Sequence, residues 1–70
     1  MNKFKVGDRV FDEVSDRMGT VSRVYYSIRN YYGVKFDEDD NQFVDTSNIV
    51  HDTQLIKESL YYSPFYQALR

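Results

Sequence analysis

The feature of this sequence that most constrains its fold is a break in the alternation of the longest β-prone run, residues 19–28. After Val21, the inward-facing apolar positions change from odd to even numbers, at Val24, Tyr26 and Ile28. A regular strand cannot keep such side chains on one face, because successive residues point to opposite faces. One extra residue near Ser22-Arg23, a β-bulge, restores the shared face and bends the strand. Bent strands are typical of small closed barrels.

Four shorter β-prone segments accompany this run, and turn residues separate them: 6–11, 31–37, 42–45 and 49–51. Pairing Val24 with Phe36 also sets Tyr26 opposite Val34 and Ile28 opposite Tyr32. All three pairs are apolar and lie on one side of the second and third strands. The connecting loop is then residues 29–31, with Asn30 in the left-handed conformation. The same reasoning pairs Phe36 with Val44 on the fourth strand. The predicted core is Val10, Val21, Val24, Tyr26, Val34, Phe36, Val44 and Ile49.

Length and composition narrow the function classes. Seventy residues allow one domain with a small core and no deep enclosed active site. The absence of cysteine excludes disulfides and thiolate zinc sites, and it suits a reducing cytoplasm. The formal net charge of −2 argues against general nucleic-acid binding, which depends on basic patches. No apolar run is long enough to span a membrane, and the early residues do not read as a signal peptide.

Four short strings carry a family resemblance: Phe-Lys-Val-Gly-Asp-Arg-Val at 4–10, Gly-Thr-Val at 19–21, Tyr-Gly-Val-Lys-Phe-Asp at 32–37 and Asn-Ile-Val at 48–50. Together they resemble the SH3-like small barrels of the KOW, Tudor-like and CarD-type branch. The resemblance implies an all-β, SH3-like barrel of about five short antiparallel strands over residues 1–52. Small proteins of bacteria and their phages look similar, which implies a bacterial or phage origin.

Residues 53–70 form an extension that this barrel does not explain. Ser63 followed by Pro64 is a typical helix start, with an N-cap and proline at the first helical position. Phe65 and Leu69 then lie one turn apart on one face, and so short a helix needs tertiary contact to persist. We expect the extension to be ordered and to pack on the barrel or on a partner. Residues 55–62 could form a preceding helix, which we favour, or an extra strand.

Residues 37–41, Asp-Glu-Asp-Asp-Asn, have the first spacings of a calcium loop. They lack its later glycine and glutamate, since Gln42 and Asn48 occupy those positions. A solvated hairpin tip is therefore the favoured interpretation, with phosphate mimicry as an alternative. His51 is the single histidine, so it cannot form a ligand set or a catalytic triad by itself. We expect no enzyme activity, no metal and no cofactor.

The excess of tyrosine and phenylalanine is the most informative functional signal. Outward aromatic residues could form a cage for methylated cations, as in Tudor-like barrels, but more often they mark a protein interface. We therefore predict a non-catalytic protein-interaction module with an aromatic and acidic face, whose partner is another protein or a second copy. The predicted partner-binding residues are Tyr25, Tyr31, Lys35, Asp37, Asp39, Asp40, Phe43, Tyr62 and Tyr66. A nucleic-acid-associated barrel of the KOW or CarD kind is the alternative.

Overall fold

The computed structural model of the chain describes residues 3–25, 30–38 and 48–70. Five strands are present in these ranges: β1 (Arg9–Asp12), β2 (Arg17–Val24), β3 (Tyr31–Phe36), β4 (Asn48–His51) and β5 (Leu55–Lys57). A single 3₁₀ turn, Asp52–Gln54, joins β4 to β5. Two short helices follow, α1 (Glu58–Tyr61) and α2 (Pro64–Leu69). No helix within the described residues has the length and apolar character needed to cross a membrane.

The five strands form one antiparallel sheet in the order β4-β3-β2-β1-β5, curled into a half-barrel. This confirms the prediction of a mostly antiparallel β fold with about five short strands and a short C-terminal helix. The edge strand β5 comes from residues 55–57, within the segment expected to be helical. That expectation is wrong for these three residues, because they pair with β1, and the helix begins only at Glu58. The predicted strand 42–45 lies outside the described residues.

The predicted bulge in β2 is confirmed, but the predicted register is not. The β2–β3 ladder shifts between Val21 and Arg23, so that Val21 and Val24 both face the core side. Val24 is opposite Tyr32, and Phe36 is opposite Gly19. The difference has a steric reason, since a side-chain Cβ on Gly19 would lie 2.8 Å from the Lys35 carbonyl oxygen. The glycine thus makes room for β3 at the place where Phe36 crosses.

The loop prediction for this hairpin holds in one respect only. Asn30 has a φ of 71°, in the left-handed region, as predicted. Tyr31 belongs to β3 and not to the predicted three-residue loop. The predicted partners Tyr26 and Ile28 lie outside the described residues, and within the described part of β2 it is Val21 that pairs with Val34 and Val24 that pairs with Tyr32.

The core lies on the inner face of the curled sheet and consists of Phe4, Val10, Val21, Tyr32, Val34, Phe36, Val50 and Leu55. Four predicted core residues are therefore confirmed, namely Val10, Val21, Val34 and Phe36. Val24 is partly buried and packs against them. Ile49 is a wrong prediction, with 61% of its surface exposed. Val50 pairs with Tyr32 and faces inward, so its neighbour Ile49 must face outward. Tyr26 and Val44 lie outside the described residues.

Tyr32 anchors the N-terminal segment to this core. Its ring contacts Phe4 edge-on, with 5.3 Å between centroids. Its buried hydroxyl oxygen accepts hydrogen bonds from the backbone N–H groups of Lys3 (2.9 Å) and Phe4 (3.2 Å). The segment before β1 is therefore held beside the sheet by both packing and polar contacts.

Candidate functional site

Phe11 is the centre of a second aromatic cluster, on the outer face of the sheet. It alternates with the core residue Val10 along β1, so its ring points away from the core. It is nevertheless only 4% exposed. The Tyr61 ring covers it at a centroid distance of 4.1 Å, and the Arg70 guanidinium lies 5.2 Å from the Phe11 ring. The outer face thus depends on the C-terminal residues for its burial.

The docking of α2 onto the β1–β2 turn is polar and directional. Ser63 caps the helix, since its hydroxyl accepts a hydrogen bond from the Phe65 N–H, as the sequence predicts. Tyr66 donates its hydroxyl hydrogen to Glu13 Oε2 at 2.7 Å. Arg70 forms an ion pair with Asp16, with 2.5 Å from Nη2 to Oδ1. The extension therefore packs on its own sheet.

The face of α2 predicted to dock is the one left in solvent. Phe65 is 85% exposed and Leu69 is 86% exposed, one helical turn apart. The helix docks instead through Tyr66 and Arg70, because only these side chains find hydrogen-bonding partners on the β1–β2 turn. We call Phe65 and Leu69 the α2 apolar face.

Hydrogen bonding shifts the ionisation of the groups that hold α2. The bond to Glu13 is the main cause that raises the pKa of the Tyr66 hydroxyl above its ordinary value of 10.0. The bond to Asp16 likewise raises the pKa of Arg70. Both groups are protonated at neutral pH even at their ordinary pKa values, so the donors of both hydrogen bonds are present there.

Arg9 engages the one predicted acidic site residue that the structure describes. Its guanidinium meets Asp37 at two points, and it also donates to Glu58 Oε2 (3.0 Å) and Thr20 Oγ1 (2.8 Å). The hydrogen bond from Arg9 is the main cause that lowers the pKa of Asp37. The predicted register, with Val24 opposite Phe36, would place Arg23 beside Asp37, which is wrong because the observed β2–β3 register places Arg23 opposite Gly33.

The predicted aromatic residues do not form one surface. Tyr31 lies at the start of β3, edge-on to His51 at 4.9 Å, and the Tyr25 N–H donates to the Tyr31 carbonyl oxygen. Tyr62 and Tyr66 both lie around Tyr61, beyond the other end of β2. The eight residues of β2 separate the two groups by roughly 20 Å.

The remaining predicted site residues are placed as follows. Lys35 is exposed on β3, opposite Thr20 on β2. Tyr62 is 66% exposed and contacts the Tyr61 ring. We expect the extension, a second copy or a partner protein to cover the outward aromatic residues. The described side-chain hydrogen bonds from the extension to the sheet end on Glu13 and Asp16 and not on Tyr25, so they do not place the extension over Tyr25. Phe43, Asp39 and Asp40 lie outside the described residues.

His51 has a local structural role. Its Nδ1 accepts a hydrogen bond from the Thr53 N–H at 3.2 Å and lies 3.1 Å from Asp52 Oδ1, so it caps the 3₁₀ turn. No three histidine, aspartate or glutamate side chains converge on a common point anywhere in the described ranges. Most of the calcium-like string 37–41 lies outside those ranges.

A groove between the N-terminal segment and β5 is a candidate site that the sequence analysis did not predict. The N-terminal residues Lys3 and Phe4 form one wall, and Ile56, Lys57 and Leu60 form the other, around a volume of about 400 Å³. A second lobe of about 300 Å³ continues past Lys3 and Lys57. Because its walls are some 50 residues apart in sequence, no local pattern could reveal the groove.

Comparisons of this chain with known protein families, with curated proteins and with solved structures found no significant match.

Proposed function

We propose that this chain is a non-catalytic protein-interaction module that presents the α2 apolar face to a partner. The observation that carries the proposal is the exposure of Phe65 (85%) and Leu69 (86%) on a helix that the fold holds in place. Single exposed apolar residues are common on protein surfaces, but large neighbouring ones mark interaction sites.

The position of α2 makes these two residues suitable for binding. A helix of six residues does not persist in isolation, so its order must come from the Ser63 cap and from its contacts with the β1–β2 turn. Burying a phenylalanine or leucine side chain contributes about 1.5–3 kcal/mol. Because the helix is already ordered, little of that contribution is lost to conformational entropy on binding.

The proposal also covers the class of the fold and the setting of the protein. An SH3-like barrel is supported by five short antiparallel strands, by the bulge in β2 and by the sequence strings that resemble this group. We infer a bacterial or phage origin from the same resemblance. A cytoplasmic setting is compatible with a sequence that lacks cysteine. The partner is another protein or a second copy of the chain.

The test compares a double variant, Phe65→Ser with Leu69→Ser, against Val14→Ser. Val14 is a suitable control because it is also apolar and 73% exposed, but it lies in the β1–β2 turn. Self-association is measured by sedimentation, and capture of partners from bacterial lysate by quantitative mass spectrometry. We expect the double variant to lose an association that the parent and Val14→Ser both retain. Identical association by all three proteins would contradict the proposal.

A further inference from the structure

The groove between the N-terminal segment and β5 concentrates positive charge. Lys3 and Lys57 line both of its lobes, and Lys5 lines the second. All three lysines are exposed, and none has a carboxylate partner among the described residues. Asp8 also lines the second lobe, where its Oδ2 accepts a hydrogen bond from the Lys5 backbone N–H.

Three arginines of the described residues differ from these lysines. Arg9, Arg17 and Arg70 each form an ion pair with a carboxylate of the same chain. The ammonium groups around the groove therefore constitute a local positive surface on a chain whose formal net charge is −2. Such a surface attracts a ligand of opposite charge.

The lining of the first lobe is largely apolar. Phe4 and Ile56 contribute to it from opposite walls, and so does Leu60, which is 48% exposed. A ligand that fills the groove must therefore carry apolar groups as well as negative charge.

The strand β5 offers backbone hydrogen bonds beside this groove. It is an edge strand of the described sheet. The Glu13 N–H donates to the Gln54 carbonyl oxygen, and bonded pairs alternate along an antiparallel ladder, so Ile56 is the next residue bonded to β1. The Leu55 carbonyl and the Lys57 N–H therefore point toward the open edge. An extended peptide can add to such an edge.

We propose that this groove binds an extended, acidic segment of another protein, in which aspartate or glutamate alternates with apolar residues. Alternation matches the site, because one face of such a strand meets the apolar wall and the other meets the lysines. Single-stranded nucleic acid is a poorer fit. Single-stranded nucleic acid typically binds through bases that stack on exposed aromatic rings, whereas Phe4, the aromatic residue that lines both lobes, is only 2% exposed.

The groove is separate from the α2 apolar face and is tested with separate variants. The parent protein is used to select from a displayed library of random short peptides, and the affinity of the selected peptides is measured by fluorescence anisotropy. We expect the selected peptides to be enriched in alternating acidic and apolar residues. Their binding should weaken as salt concentration rises.

Charge reversal at the groove supplies the decisive comparison. We expect Lys57→Glu and Lys3→Glu each to weaken binding of the selected peptides about tenfold. Lys35→Glu makes the same charge change on β3, away from the groove, and should leave binding within about twofold of the parent. Circular dichroism of each variant serves to check that it is folded.

Three results would overturn the proposal. One is a selection that yields no enrichment of acidic peptides. Another is an equal effect of Lys57→Glu, Lys3→Glu and Lys35→Glu on affinity. The third is tighter binding of single-stranded oligothymidylate than of the selected peptides, which would assign the groove to nucleic acid.

Discussion

The Arg9 guanidinium and the Asp37 carboxylate form a two-point ion pair, with 2.7 Å from Nη1 to Oδ1 and 2.5 Å from Nη2 to Oδ2. Arg9 belongs to β1, and Asp37 directly follows β3, so the pair spans the intervening strand β2. Glu58 of α1 contacts the same guanidinium. One side chain therefore links the sheet to the first helix.

The ion pair predicts a dependence of stability on pH. The pKa of Asp37 is lower in the folded chain than its ordinary value of 3.8, so the pair stabilises the fold above that pH. This stabilisation disappears as the pH falls through the lowered pKa. At neutral pH we expect Asp37→Asn to reduce the free energy of unfolding by about 0.5–1 kcal/mol. Urea unfolding at a series of pH values should show this difference shrinking in acid. A difference that stays constant would exclude the pair as its source.

Because Phe36 lies on the inward side of β3, Phe36→Ala should strongly reduce the free energy of unfolding. Phe36 is 1% exposed, and the Arg17 guanidinium stacks on its ring at 3.7 Å. We expect a loss of about 3–5 kcal/mol, a large fraction of the stability of so small a domain. Ile49→Ala, at 61% exposure, should change the free energy of unfolding by less than about 0.5 kcal/mol. Equal losses in denaturant titrations would refute the assignment of faces in β3 and β4.

The close approach of β3 to Gly19 predicts that an added methyl group is not tolerated there. The Cβ of Gly19→Ala would lie 2.8 Å from the Lys35 carbonyl oxygen, a backbone atom that cannot move freely. We expect destabilisation of about 1–3 kcal/mol. Gly33→Ala is the matched control, since its nearest neighbours are side-chain atoms of Arg23 and Ser22 at 3.1 and 3.3 Å. A smaller loss for Gly19→Ala than for Gly33→Ala in thermal unfolding would show that the register is different.

The hydrogen bond from Tyr66 to Glu13 predicts a shifted phenol titration. The pKa of Tyr66 is raised above 10.0 in the folded state. The hydrogen bond to Glu13 therefore stabilises the fold fully below that pH, and this stabilisation is lost as the pH rises through the raised pKa. The difference between the phenolate absorbance titrations of the parent and Tyr66→Phe isolates this group. Glu13→Gln should lower its pKa toward 10.0. An unchanged titration in Glu13→Gln would mean that the bond does not form in solution.

The stacking of Tyr61 on Phe11 predicts opposite roles for two aromatic residues of the extension. Tyr61→Ala uncovers Phe11, so we expect a loss of about 2 kcal/mol and increased binding of a hydrophobic dye. Phe65→Ala removes a ring that is 85% exposed and should leave stability nearly unchanged while reducing dye binding. If Phe65→Ala is the more destabilising change, α2 docks through the face that the sequence alone predicted.

Local features of the fold were predictable because a few neighbouring residues determine them. The bulge at Ser22 follows from a parity break within one strand, and the left-handed conformation follows from the preference of Asn30. The start of α2 follows from Ser63 and Pro64. Each of these features involves backbone preferences that act over one turn or less.

The candidate sites were less predictable. The sequence indicates that Phe65 and Leu69 share an apolar face. It does not indicate that Tyr66 and Arg70 bond to Glu13 and Asp16, more than 50 residues away, which leaves that face exposed to solvent. The lysine-lined groove depends on the N-terminal segment reaching β5. No pattern within either segment indicates that meeting.

The alternation of Tyr32, Val34 and Phe36 along the chain is enough to indicate the inward face of β3, whereas tertiary packing selects the residues that these side chains meet. Pairing Val24 with Phe36 or with Tyr32 keeps the same parity, so both registers bury the same side chains of β3. Only the second places Gly19 beneath Phe36, where the missing side chain leaves space for the closely packed backbone. Parity is a property of one strand. Register and helix docking depend instead on contacts between segments that are distant in sequence, such as Gly19 with Phe36 and Tyr66 with Glu13.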